Sequence, residues 1–197
     1  MLSKTKAAAA RVFESVERYL TRKLKLVVNR QKSRICQTAG VEFLGFVFEG
    51  YGGQIRVSRK NATKFKDRVR EITRRNRGVS MPHRYRELRR YFQGWVGYFG
   101  LVPIKSFFSE LDKWVRRRLR CCHWKQWRGP RTRIANLRQL GIQEDEAVTH
   151  GSSSKGPWVM SASQAVHQAL SLEFFTQSGL PSLFTLWSQL ALRNRTA

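Results

Sequence analysis

Acidic residues are scarce in this chain. Three aspartates and ten glutamates stand against 38 lysines and arginines over 197 residues. Asp67, Asp112 and Asp145 lie far apart in sequence, whereas a two-metal centre needs carboxylates converging on ions about 4 Å apart. Asp145, between Glu144 and Glu146, reads as an acidic first turn of a helix. No metal site is therefore expected. Cysteine is rarer still. Cys36, Cys121 and Cys122 cannot build a disulfide framework, since two are sequence neighbours that bridge only under strain; a reducing, intracellular setting follows. No apolar run approaches the roughly 18 residues of a membrane span. His83, His123, His150 and His167 show no catalytic spacing, and no nucleophile elbow or phosphate-binding glycine loop occurs. In Cys121-Cys122-His123 adjacent side chains diverge on a helix, and no second Cys/His pair stands at zinc-finger spacing. Core packing of one cysteine is expected there.

What the chain does have is positive charge. The net charge is +25, far beyond what solubility needs, and an excess of that size points to a polyanionic partner. It is unevenly placed. Residues 1–142 hold 35 Lys/Arg and 9 Asp/Glu, residues 143–197 only 3 and 4, so the partner faces the first part. Arg116, Arg117, Arg118, Arg120, Lys125, Arg128, Arg131 and Arg133 put eight cations in eighteen residues with no acid among them. Lysine and arginine neutralise phosphates and release counterions. The aromatics threaded between the cations recur at helical period, which reads as core.

The hydrophobic pattern divides the chain near Ser58. A helix is predicted over 7–26, with Val12, Val16, Tyr19, Leu20 and Leu24 on one face. Val27-Val28 and Ile35 suggest short extended pieces. Residues 41–48 read as a strand and 54–57 as its hairpin partner across the turn Glu49–Gly53. From Ser58, a capping residue, helices take over. Ala62, Phe65, Val69 and Ile72 form the core face of the first, which Gly78 ends. Ser80 with Pro82 starts a second, carrying Leu88, Tyr91, Phe92, Trp95, Tyr98 and Phe99. A third carries Ile104 to Leu119, with Asp112 and Arg116 in a favourable pairing order. Short helices follow at Arg131–Leu140, at Glu144, and around Ser163–Leu170, Leu172–Ser178 and Ser182–Leu192.

Three segments, in order, resemble the back half of a group II intron reverse transcriptase/maturase. Ser15–Ile35 (SVERYLTRKLKLVVNRQKSRI) is similar to the palm segment that follows the family's catalytic Tyr-x-Asp-Asp strand. Val41–Phe48, with FLGF at Phe43, Leu44, Gly45 and Phe46, resembles the hairpin that ends the palm and steadies the primer end. RGVSM (Arg77–Met81), YFQGWVGYFG (Tyr91–Gly100), LDKWVRRRLR (Leu111–Arg120) and WKQWRGPRTR (Trp124–Arg133) resemble the maturase-specific domain X, the thumb. Ser154-Lys155-Gly156 and Trp158 fit the family's C-terminal end. The fold class so implied is α+β, mainly α: a small β-hairpin palm remnant (1–57), a basic helical thumb (58–142) and a near-neutral cap of short helices (143–197).

The resemblance implies an RNA-binding module that holds intron RNA for splicing and an RNA/DNA template-primer for reverse transcription. The expected RNA-binding residues are Lys60, Lys64, Arg68, Arg75, Arg89, Arg90, Arg116, Arg117, Arg118, Arg120, Lys125, Arg128, Arg131 and Arg133, with Phe43–Phe46 primer-grip-like. No catalytic residue is expected. Met1 falls just after where Tyr-x-Asp-Asp would stand, so the chain reads as a fragment without its metal-binding aspartates. It needs no cofactor itself, Mg2+ belonging to the intact polymerase. An upstream half supplied separately is the alternative, which would make the chain part of an active RNA-directed DNA polymerase. The chain departs from the family in places. Pro82-His83 suggests a late helix start, Gln93 stands where an arginine is common, and Lys32, where some polymerases keep a proton donor, has nothing to act on. The expected location is cytoplasmic, associated with RNA or the nucleoid, or else an organelle; no membrane partner is expected.

Overall fold

The computed structural model describes residues 3, 5–49 and 54–196, and divides the chain into two compact units, Met1–Ile55 and Arg56–Ala197. As the hydrophobic pattern implies, it is mainly helical with a small antiparallel sheet near the N-terminus.

In the first unit, α1 (Lys6–Arg22) starts where the Thr5 hydroxyl accepts a hydrogen bond from the Ala8 N–H. It ends four residues short of the predicted Leu26. Lys25 adopts a left-handed φ of 54°, a conformation that interrupts a right-handed helix. Val27-Val28 and Ile35 lie in irregular chain, and Arg30 reaches back from it to chelate Glu17 at 2.9 and 3.1 Å. The run 41–48 is itself a hairpin. β1 (Glu42–Phe43) and β2 (Phe46–Glu49) pair antiparallel with Phe43 opposite Phe46. Between them Leu44 and Gly45 take φ of 50° and 81°, the two positive values of a type I′ turn, whose twist matches that of the strands. β3 (Gln54–Val57) completes the order β1-β2-β3. The predicted turn before it lies, at residues 50–53, outside the described residues.

In the second unit, α2 (Arg59–Ile72) begins at Ser58, whose hydroxyl accepts from the Asn61 N–H. It stops at Ile72, well before Gly78, because side chains take over its last carbonyls. Thr73 Oγ1 donates to Val69 O at 2.6 Å and Arg84 donates to Ile72 O at 2.6 Å. α3 (Met81–Phe99) starts directly after its Ser80 cap, with Pro82 in the first turn. The expected late start does not occur, since a first-turn proline lacks only an N–H that would have no partner in the helix. Phe65 packs on Tyr91, Phe92 and Trp95 at centroid distances of 5.5, 5.9 and 4.5 Å.

α4 (Lys105–Gln126) is the axis of this unit and runs seven residues beyond Leu119. Leu119, Arg120, Cys121, Cys122, His123 and Trp124 are all buried in succession, which requires neighbours on every side of the helix. Thr73 faces Cys122, Tyr85 of α3 faces His123, and Pro157 faces Cys121. Both adjacent cysteines and the histidine are thus core residues, where one cysteine was expected. α5 (Pro130–Gln139) and α6 (Glu144–Gly151) pack as a hairpin. At Gly151 an added Cβ would lie 2.5 Å from Ile134 Cγ1, so only glycine allows this approach.

The tail forms α7 (Pro157–Met160), α8 (Gln164–Ala169), α9 (Leu172–Gln177) and α10 (Leu183–Thr196). Asp112 does not pair with Arg116 as its spacing suggested. It caps α10, accepting from the N–H groups of Leu183 and Phe184 at 2.8 and 2.9 Å and from the Ser182 hydroxyl at 2.6 Å. Oriented N–H groups at a helix start are a better match for a buried carboxylate than a neighbouring arginine side chain. Among the described residues no helix is long and apolar enough to cross a membrane.

Candidate nucleic-acid interface

The basic residues singled out from sequence fall into two groups. Lys60, Lys64, Arg68, Arg75, Arg89, Arg90, Lys125, Arg128 and Arg131 are exposed. Arg68 pairs with Glu71 at 2.7 Å; the others make no ion pair among the described residues. Lys60, Lys64 and Arg68 follow one another at four-residue spacing along α2. On α3, Arg89 and Arg90 are joined by exposed Arg86 and Gln93, and by Gly94 and Gly97, around which a Cβ would meet open space. Glycine inside a helix costs about 0.5–1 kcal/mol against alanine, and packing within the chain gives no reason for either. The bare backbone does admit a close approach from outside. The amide of Gln126 donates to Val79 O at 3.4 Å and Cys122 Sγ to Thr73 O at 3.2 Å. The last turns of α4 therefore lie along the α2–α3 connection, which brings exposed Arg74 and Arg75 to the same end as Lys125 and Arg128.

The second group turns inward. Arg120 is 4% exposed and donates to Leu170 O at 3.0 Å; burial lowers its pKa to about 10. Arg118 donates to Thr73 Oγ1 at 2.7 Å and lies over Trp114, which Arg70 also approaches. Arg117 stacks on Trp158, and Arg133 on Trp124 at 4.8 Å. Arg116 is half-buried. The sequence run Arg116–Arg120 thus largely fastens α4 to what surrounds it, a role invisible where charge alone is counted.

Arg84 and the exposed Arg59, Arg74 and Arg86 escaped the sequence reading. Arg84 is buried and holds the C-terminal carbonyl of α2, where a cation also suits the helix dipole. Its position gave the signal, four residues before the core residue Leu88. Arg77 chelates Glu87, with one contact at 2.8 Å, and that guanidinium holds the Glu87 carboxyl below its ordinary pKa.

Beside this hub, Tyr85 Oη and His123 Nε2 lie 2.6 Å apart. Burial drives the His123 pKa down to about 4 and the Tyr85 pKa up. The folded protein resists protonating His123, whereas the unfolded chain takes the proton near pH 6.5. Stability is therefore complete above about pH 6.5 and lost as the pH falls towards 4, by on the order of 3 kcal/mol. Urea titrations at neutral and acid pH should show that loss, and His123→Gln should remove most of it. An equal acid loss in the variant would place the cause elsewhere.

The primer-grip-like residues form the β1–β2 turn. Phe43 and Leu44 are 60% and 65% exposed, while Gly45 and Phe46 are half-buried. Among the described residues no three His, Cys, Asp or Glu side chains gather as a metal site.

A comparison with curated proteins found no match. The family model described as "Group II intron, maturase-specific domain" matches residues 62–141, the stretch from the first turn of α2 to the end of α5. That span holds the Phe65–Trp95 core, the α3 cations and the whole of α4, and it shows that residues 62–141 are a group II intron maturase-specific domain, domain X.

Proposed function

We propose that this chain binds structured group II intron RNA in support of splicing, through the exposed cations of α2, α3 and the α4–α5 joint. Joined to a reverse transcriptase half, the same surface takes the RNA/DNA template-primer, with the β1–β2 turn near the primer end. The observation that carries this reading is the set of exposed arginines and lysines that, Arg68 apart, make no ion pair among the described residues, in a maturase-specific domain. A helix facing only water intersperses acids among its bases, and here the missing counter-charge is what a phosphate backbone supplies. The inward-turned Arg118 and Arg120 contribute to the fold that displays these cations.

The test is the ionic-strength dependence of binding between the full chain and a structured intron RNA. Each phosphate neutralised adds about −0.7 to −0.9 to the slope of log K against log salt, so the expected slope is about −4 or steeper. Binding at low salt no tighter than to a neutral polymer would refute the proposal.

A further inference from the structure

Trp158 is a large aromatic that its stack on Arg117 leaves only partly covered. It is 46% exposed, next to Val159 at 54%. Its backbone is firmly held. Trp158 O accepts from the Ser161 hydroxyl at 2.7 Å and from Arg117 Nη2 at 3.4 Å, and Cys121 Sγ donates to the preceding Pro157 O at 3.5 Å. The Arg117 guanidinium lies 4.0 Å from the indole centroid, and Arg117 Nε is buried without a hydrogen-bond partner. One ring face is therefore covered by a cation, while nearly half of the residue stays open to solvent. A further cation stands close in sequence: exposed Lys155 lies three residues before Trp158, in a loop that α5 holds through Arg133, which donates to Ser153 O at 3.4 Å.

We infer that Trp158 is a stacking platform for an unpaired RNA base, with Lys155 taking a flanking phosphate. This deepens the RNA-binding reading and rests on it. An exposed indole with a guanidinium stacked on it and a lysine three residues away suits a nucleotide, which offers a π-face and a negative charge a few ångströms apart. The base must be unpaired and unstacked, because inside a duplex both its faces are occupied. A protein partner would meet only the small apolar area of Trp158 and Val159 beside these cations. Arg117 acts by fixing the ring and leaves the open face to the base.

The experiment compares three RNAs on the full chain: a blunt duplex, the same duplex with a single-stranded extension, and that extension made abasic with its phosphates kept. Stacking of one base is worth about 1–3 kcal/mol, so the natural extension should improve affinity roughly tenfold and the abasic one much less. Trp158→Ala should erase that gain and Trp158→Phe retain most of it. Both should leave blunt-duplex affinity within about twofold and the salt slope unchanged, since no phosphate contact is lost. Abasic and natural extensions binding alike, or Trp158→Ala weakening both duplexes equally, would overturn the platform. So would a gain that survives Trp158→Ala. If the wild-type chain binds none of the RNAs at low salt, the RNA-binding reading fails as well; intact duplex binding without a base-dependent gain sinks the platform alone.

Discussion

Lys125→Glu, Arg128→Glu and Arg131→Glu combined are expected to weaken binding of structured RNA on the order of 10²- to 10³-fold near 0.1 M salt, and to flatten the salt slope by about three. On the proposed interface each reversal would remove one phosphate contact and put an anion in its place. All three side chains are exposed and make no ion pair among the described residues, so the fold loses nothing and the melting temperature should hold. Reversing Arg118 and Arg120 tests the opposite case. Arg120 is buried against Leu170 O and Arg118 is bound to Thr73, so their replacement should unfold the domain before it reports on RNA. Gel-shift titrations at two salt concentrations, paired with thermal melts, separate the two. An unchanged affinity in the triple variant would remove the α4–α5 joint from the interface.

Asp112→Ala is expected to cost on the order of 3 kcal/mol. The carboxylate is 5% exposed and receives three hydrogen bonds at the start of α10. Alanine would leave the N–H groups of Leu183 and Phe184 unpaired at a buried helix start, and each such group costs about 1–3 kcal/mol. Asp112→Asn keeps an acceptor but loses the charge, and should fall between. α10 retains other ties, the Trp187 indole N–H to Val102 O at 3.0 Å and a stack of Phe108 on Trp187 at 5.5 Å. The weakened variant should therefore lose protection there first, seen as faster proteolysis after Pro181 together with a lower urea midpoint. An unfolding free energy within about 1 kcal/mol of wild type would show that the cap matters little.

Much of the helical unit was legible because local signals agreed with one another. Ser58 and Ser80 marked helix starts, and the period-3.6 spacing of Phe65, Val69 and Ile72, or of Leu88, Phe92, Trp95 and Phe99, named the buried face. Three things were not legible, each for a physical reason. The Leu44-Gly45 turn sits inside a continuous apolar run, where strand propensity masks two left-handed residues. The end of α4 is buried all round, so periodicity could not choose one inward side among Cys121, Cys122, His123 and Trp124. The cations of Arg116–Arg120 look alike in sequence. Which ones face water depends on Thr73, Trp158 and Leu170, partners some forty to fifty residues away.

Those distant partners also bear on the order in which the molecule can be made. The family match closes at residue 141, yet Arg120 waits for Leu170, Asp112 for residues 182–184 and Val102 for Trp187, across 50 to 85 residues of chain. Synthesis proceeds from the N-terminus, and loops of this length close slowly. A nascent chain therefore presents α4 with a bare carboxylate and an unshielded guanidinium until its last helices emerge. During that interval the positive charge is already out while the core that the tail later seals is still open.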